Sequence, residues 1–156
     1  MKKNPKKRKM KKNLNKRAAV IINEDKRKRI ILERARKKKD IVFGGRAIQK
    51  HIGLFSRPTE DYDIFTKKPK ESAKKVQGRL DNSVGFNFFY AKKGKNPSTW
   101  KVKSVGLDFK RGTKDDAGVV DYTKHPKPAP KTKVIKGIKY RVLQEEIDSK
   151  NKSLMD

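Results

Sequence analysis

The chain has 156 residues, enough for one ordinary domain, and carries 45 Lys and Arg against 17 Asp and Glu, a net charge of +28. That charge calls for a polyanionic partner, nucleic acid ahead of an anionic membrane surface, bound with strong salt dependence. The absence of cysteine excludes a disulfide frame and a thiolate metal site, and no apolar run approaches the ~18 residues a bilayer crossing needs.

The first 40 positions hold 19 of the basic residues against four acids, so this part is the denser in charge. Residues 1–13 repel themselves and have almost nothing to bury, and they are expected to be disordered in isolation. From Leu14 to Lys39 the spacings of Leu14, Ala18, Ile21 and Ile22, then Ile31 and Ala35, predict one long or two shorter amphipathic helices, with Asn23-Glu24-Asp25 as a possible break. Residues 1–39 therefore read as a basic arm. Its candidate nucleic-acid contacts are Lys6, Lys7, Arg8, Lys9, Lys11, Lys12, Arg27, Arg29 and Arg36, which neutralise phosphates without reading bases. A solubilising or targeting tail is the plainer alternative. The start is basic but lacks the apolar stretch of a secretory signal, so an intracellular location is expected.

Residues 40–156 form the domain proper. A short strand over 40–43 runs into Gly44-Gly45, a helix over 46–52 is closed by Gly53, and a loop with Pro58 over 56–60 leads to a strand over 61–66. A helix is predicted over 70–80. The aromatic run Val84-Gly85-Phe86-Asn87-Phe88-Phe89-Tyr90-Ala91 reads as a strand, central in the sheet. Segments 99–109 and 119–124 look like a hairpin, 133–143 is a last strand broken or bulged at Gly137, and 144–154 is a terminal helix. The sum is an α/β or α+β arrangement: a mixed sheet of about five strands with helices packed on it, preceded by the basic helical arm.

Asp61-Tyr62-Asp63-Ile64-Phe65 carries the chemistry. Alternation along a strand puts Asp61 and Asp63 on one face while Tyr62 and Ile64 anchor the other. Adjacent carboxylates repel, and a divalent cation relieves the repulsion; Mg²⁺ is usually held by one or two carboxylates plus substrate phosphates. Gly44-Gly45, between a strand and a helix, supplies bare backbone N–H groups and a helix N-terminus for a phosphate. Together they predict a nucleoside triphosphate site. His51 and His125 are too far apart to make a zinc site, and Lys150 reads as solvated. Phe86, Phe88, Phe89, Tyr90 and Trp100 suggest base stacking, with a core role the plainer reading.

Phe43-Gly44-Gly45-Arg46-Ala47 followed by Asp61-Tyr62-Asp63-Ile64 resembles the signature of the polymerase-beta-type nucleotidyltransferase superfamily. It is most similar to small viral and mobile-element members, relatives of viral poly(A) polymerase catalytic subunits and of abortive-infection nucleotidyltransferase toxins. The resemblance implies Mg²⁺- or Mn²⁺-dependent transfer of a nucleoside monophosphate from an NTP to a hydroxyl, on or near nucleic acid. Asp61 and Asp63 would be catalytic metal ligands, Gly44, Gly45 and Arg46 would meet the nucleotide, and a third carboxylate would come from a neighbouring strand. Asp121 is preferred for it, with Asp108 the rival. A viral source, in virion or host-cell cytoplasm, fits the resemblance. The competing expectation is a non-catalytic basic nucleic-acid-binding or virion-associated protein that retains the fold.

Overall fold

The computed structural model describes residues 24–52, 61–106 and 108–155. The expected disordered start, the helical segment ahead of residue 24, the stop at Gly53 and the loop over 56–60 lie outside the described residues. So do the contacts at Lys6, Lys7, Arg8, Lys9, Lys11 and Lys12.

The described elements are α1 (Glu24–Lys38), β1 (Ile41–Phe43), α2 (Gly45–Ile52), β2 (Tyr62–Thr66), α3 (Pro69–Val84), β3 (Phe89–Lys93), β4 (Thr99–Ser104), β5 (Ala117–Lys124), β6 (Thr132–Ile135), β7 (Ile138–Arg141) and α4 (Leu143–Met155). The strands form one mixed sheet in the order β3-β4-β5-β2-β1-β7-β6. Parallel pairing joins β2 to β5 and β1 to β7, and the remaining pairs are antiparallel.

Alternation divides the sheet into two chemically different faces. Val42 and Ile64 are register partners, Ile64 in turn faces Tyr122, and all three are fully buried. They join Ile30, Ile31 and Ala35 of α1 and Ala73, Val76 and Leu80 of α3 in one core cluster. Burying that many branched and aromatic side chains is the main source of stability, at roughly 1.5–3 kcal/mol per large side chain. α1, read from the sequence as part of the arm, is thus built into the domain core through its apolar stripe. The other face carries Asp63, Asp121 and Lys101 beside Phe43 and Phe65.

β4 ends at Ser104 instead of running to 109, and two further segments differ from the sequence expectation. The aromatic run over 84–91 is not a central strand: α3 continues to Val84, Gly85 caps it in the left-handed region (φ 83°) with its N–H on Asp81 O, and only Phe89 and Tyr90 of the expected aromatics enter β3, at the sheet edge. Buried Asp81 accepts the N–H groups of Phe88 and Phe89 at 3.0 and 2.8 Å, and so turns the chain out of the helix. Phe86 and Phe88 pack edge-on with Phe109 instead. The second difference is at 133–143, where the strand is a hairpin. Lys136 and Gly137 both have positive φ, 51° and 79°, and link Ile135 to its partner Ile138. The sheet has seven strands where about five were expected.

No helix among the described residues is long and apolar enough to cross a membrane.

Candidate active site

The polar face is organised by register. Phe43 lies opposite Asp63, Asp63 opposite Asp121, Asp121 opposite Lys101, and Lys101 opposite Lys92. Directly opposed residues share a face, and neighbouring strands lie about 4.7–4.9 Å apart. The pairing of β2 with β5 thus sets two carboxylates side by side, flanked by an aromatic ring on one side and two lysines on the other. They open into a groove of about 370 Å³ whose basic wall is Lys92, Lys93, Lys95, Lys101 and Lys103.

Gly44 closes the inner end. Its φ of 71° favours glycine, and a Cβ there would stand 2.5 Å from Asp63 Oδ2, so a side chain would be strained at the backbone and would push the Asp63 carboxylate aside. Gly45 begins α2, whose first turn contains no acid. The Gly44 N–H donates to Glu146 Oε1 at 3.0 Å, and the same oxygen accepts from Arg141 Nε at 2.6 Å. The Arg141 guanidinium also lies over Phe43 and Phe65, which are stacked at 3.7 Å. In this way α4 is tied to the glycine turn through a carboxylate that is 1% exposed.

Charge concentrates on Asp63. Burial, together with the neighbouring carboxylates of Asp121, Asp61 and Glu146, pushes it up to about 7, with Lys101 acting in the opposite sense. Burial also raises Asp121, against the pull of Lys101, whose Nζ is 3.6 Å from Asp121 Oδ2. Asp61, just ahead of β2, adds its charge to both carboxylates and lies beside Gly118.

The structure brings Asp63, Asp121 and Gly44 together, while Asp61 contributes its charge from just ahead of β2, beside Gly118, and is not among the residues lining the groove. Asp108 is elsewhere: it is exposed in a turn and accepts the Lys110 N–H. Arg46 stands apart from the carboxylate pair, with its guanidinium 4.3 Å from the centre of the Tyr62 ring and its Nε donating to the Asp61 carbonyl oxygen. Arg27 lines a recess with Arg46 and Tyr62, Arg36 runs along Gly137, and Arg29 is exposed. Among the described residues, the wall of the carboxylate groove includes none of α1.

Five lysines, Glu146 and Arg141 were not singled out by sequence reasoning. The alternation Trp100-Lys101-Val102-Lys103 was the available signal for two of them, since it puts both lysines on one face. For Glu146 no signal exists, because Gln144-Glu145-Glu146 gives three polar residues with nothing to mark the buried one.

Among the described residues no group of three or more His, Cys, Asp or Glu side chains is arranged to hold a metal ion as it stands. Mg²⁺ does not require one, since one or two carboxylates with substrate phosphates suffice. The donor set fits such an ion: hard oxygens on adjacent strands, mutually repelling, with Asp63 pushed to about 7 by its neighbours and by burial.

No family model and no curated protein matches the sequence. Solved structures do match in shape. The Megavirus polyadenylate synthase aligns with 90% of this chain at a TM-score of 0.64 and 20% identity, and JHP933 from Helicobacter pylori with 83% at 0.50 and 21%. A candidate nucleotidyltransferase from H. pylori aligns with 83% at 0.51 and 21% identity. This chain spans 29% of the Megavirus protein and 55 and 56% of the two bacterial ones. The fold is nucleotidyltransferase-like.

Proposed function

We propose that this chain is a nucleotidyltransferase that, with Mg²⁺ or Mn²⁺, moves a nucleoside monophosphate from an NTP to a hydroxyl acceptor on or near nucleic acid. One observation carries the reading: Asp63 and Asp121 are direct cross-strand neighbours on one face of a nucleotidyltransferase-like sheet, against a glycine whose missing side chain leaves room for the Asp63 carboxylate. Asp63 and Asp121, with Asp61 beside them, are the residues that would hold the cation, which supplies charge neutralisation for the triphosphate and the departing pyrophosphate. Asp121 is then the group placed to accept the proton of the attacking hydroxyl. Gly45 and the start of α2 offer the triphosphate N–H groups, whereas the Gly44 N–H is already held by Glu146. The lysines of β3 and β4 keep the acidic pair from repelling polyanionic substrates.

In this reading the basic N-terminal stretch ahead of α1 holds the nucleic acid by its phosphates, while α1, packed in the core, belongs with 40–156 in the catalytic unit. An intracellular site of action, in host cytoplasm or virion for a viral protein, is part of the same proposal.

The test is incubation of the chain with each α-labelled NTP, Mg²⁺ or Mn²⁺ and total RNA or protein. Incorporation is expected, and Asp63→Asn is expected to abolish it while the circular dichroism spectrum stays that of the parent. A variant that transfers label as well as the parent removes Asp63 from the chemistry. One observation favours a second reading, a basic binding scaffold without catalysis: Lys101 already pairs with Asp121 at 3.6 Å. Under it no NTP is incorporated and nucleic-acid binding survives chelation.

A further inference from the structure

The turn joining β3 to β4, residues 94–98, separates two grooves on opposite faces of the sheet. One is the carboxylate groove, with Lys92, Lys93 and Lys95 along its outer wall. The other, about 680 Å³, is formed by Lys68, Lys70, Lys74, Pro97, Trp100 and Lys124. Gly94, Lys95 and Asn96 border the first groove and Pro97 and Ser98 the second, so the turn is their common rim.

Trp100 is opposed to Lys93 and Tyr122 in register, which puts its ring on the face away from Asp121, with Lys93 at the rim between the two faces. It packs against the core cluster and is only half-buried, with the Lys70 ammonium 5.5 Å from the ring centre. Glu71, the acid on this wall among the described residues, is paired with Lys68 at 3.8 Å. An open tryptophan with proline beside it and lysines around it offers what a nucleotide requires: a π surface for the base and ammonium groups for the phosphates. Duplex bases, stacked on each other, cannot use such a ring, and a polyphosphate has no base to offer it.

We propose that a single-stranded polynucleotide follows this path, its terminal hydroxyl at Asp63 and Asp121, its backbone across Lys92, Lys93 and Lys95, and a base stacked on Trp100 beyond the turn. The hydroxyl end of the path rests on the catalytic reading above; the Trp100 site does not. Single-strandedness follows from the stacking requirement, and the bend over the rim is one a flexible strand makes and a duplex does not.

Trp100 is the chain's one tryptophan, so its fluorescence reports this groove and not the basic arm. The full chain, in EDTA and without NTP, is titrated with oligo(U), oligo(dT), a hairpin duplex and inorganic polyphosphate, with anisotropy of labelled oligonucleotide as the independent measure of binding. Saturable quenching by either or both single strands, weak quenching by the duplex and none by polyphosphate are expected. Trp100→Ala should weaken single-strand binding roughly tenfold, Trp100→Phe should largely retain it, and Lys74→Glu, on an exposed helix face, should weaken it without touching the core. Quenching by polyphosphate equal to that by oligonucleotides overturns the proposal, and so does an oligonucleotide that binds by anisotropy while the emission is unchanged. Quenching intact with no NTP incorporation removes the catalytic reading alone, and incorporation without quenching removes this path alone.

Discussion

Asp63 combines burial with three carboxylate neighbours, and its pKa of about 7 follows from that setting. The unfolded chain releases this proton near 3.8, so between about pH 4 and pH 7 the folded protein binds more protons than the unfolded one, and its stability falls as pH rises. Above pH 7 the destabilisation is complete. Asn has similar size and no charge to lose. Asp63→Asn is therefore expected to melt higher than the parent at pH 8 and nearly with it at pH 4, by roughly 2–4 °C for each kcal/mol recovered. Added Mg²⁺ should raise the parent's melting temperature at pH 8 and leave the variant's unchanged. Equal melting of the two proteins at pH 8 contradicts the crowding of charge on Asp63.

At the scale of elements, the glycine turn is held by α4 through Glu146. That carboxylate accepts from both Arg141 and the Gly44 N–H and is shielded from water. Removing one partner of a buried ion pair costs about 3–5 kcal/mol, because the remaining charge stays desolvated. Glu146→Gln keeps an oxygen for the Gly44 N–H and is expected to lower the melting temperature less than Glu146→Ala, which loses both contacts. Thermal melts of the two variants decide it, and equal losses would put the whole effect on Arg141. How much of this was legible from the sequence follows the same division. Gly44 and the alternating Asp61 and Asp63 were readable because their chemistry needs particular residue types at short separations. The pairing of Asp63 with Asp121 depends on β2 and β5 becoming neighbours across 58 positions of chain, which no local pattern encodes. The aromatic run over 84–91 misled for a related reason: side-chain type favoured a strand, while Gly85 and the buried Asp81 carboxylate decided where the helix stopped. At Gly137 the break was visible, but not that it folds a hairpin whose second strand pairs in parallel with the distant β1.

The whole molecule carries +28, and a large field of one sign binds polyanions wherever lysines are dense, so affinity alone does not locate the nucleic-acid path. Salt dependence does. Each phosphate of a single strand that a lysine neutralises adds about 0.7 to the slope of log affinity against log salt, because it releases condensed counterions. Lys93 and Lys95 stand on the rim of the carboxylate groove, both exposed. If both meet phosphates, the double variant Lys93→Ala/Lys95→Ala should flatten the slope for a labelled single strand by about 1.4. The double variant Lys6→Ala/Lys7→Ala removes equal charge from the basic arm and measures that arm's share in the same way. A field that acts diffusely, without contacts, predicts the same small change for both variants, since net charge falls equally in each. A path fixed on the β3–β4 turn predicts that the first variant flattens the slope for single strands more than for duplex, because only the single strand crosses the rim to reach Trp100. The comparison is made at several salt concentrations by anisotropy, and an unchanged slope in Lys93→Ala/Lys95→Ala would take the strand off the β3–β4 rim.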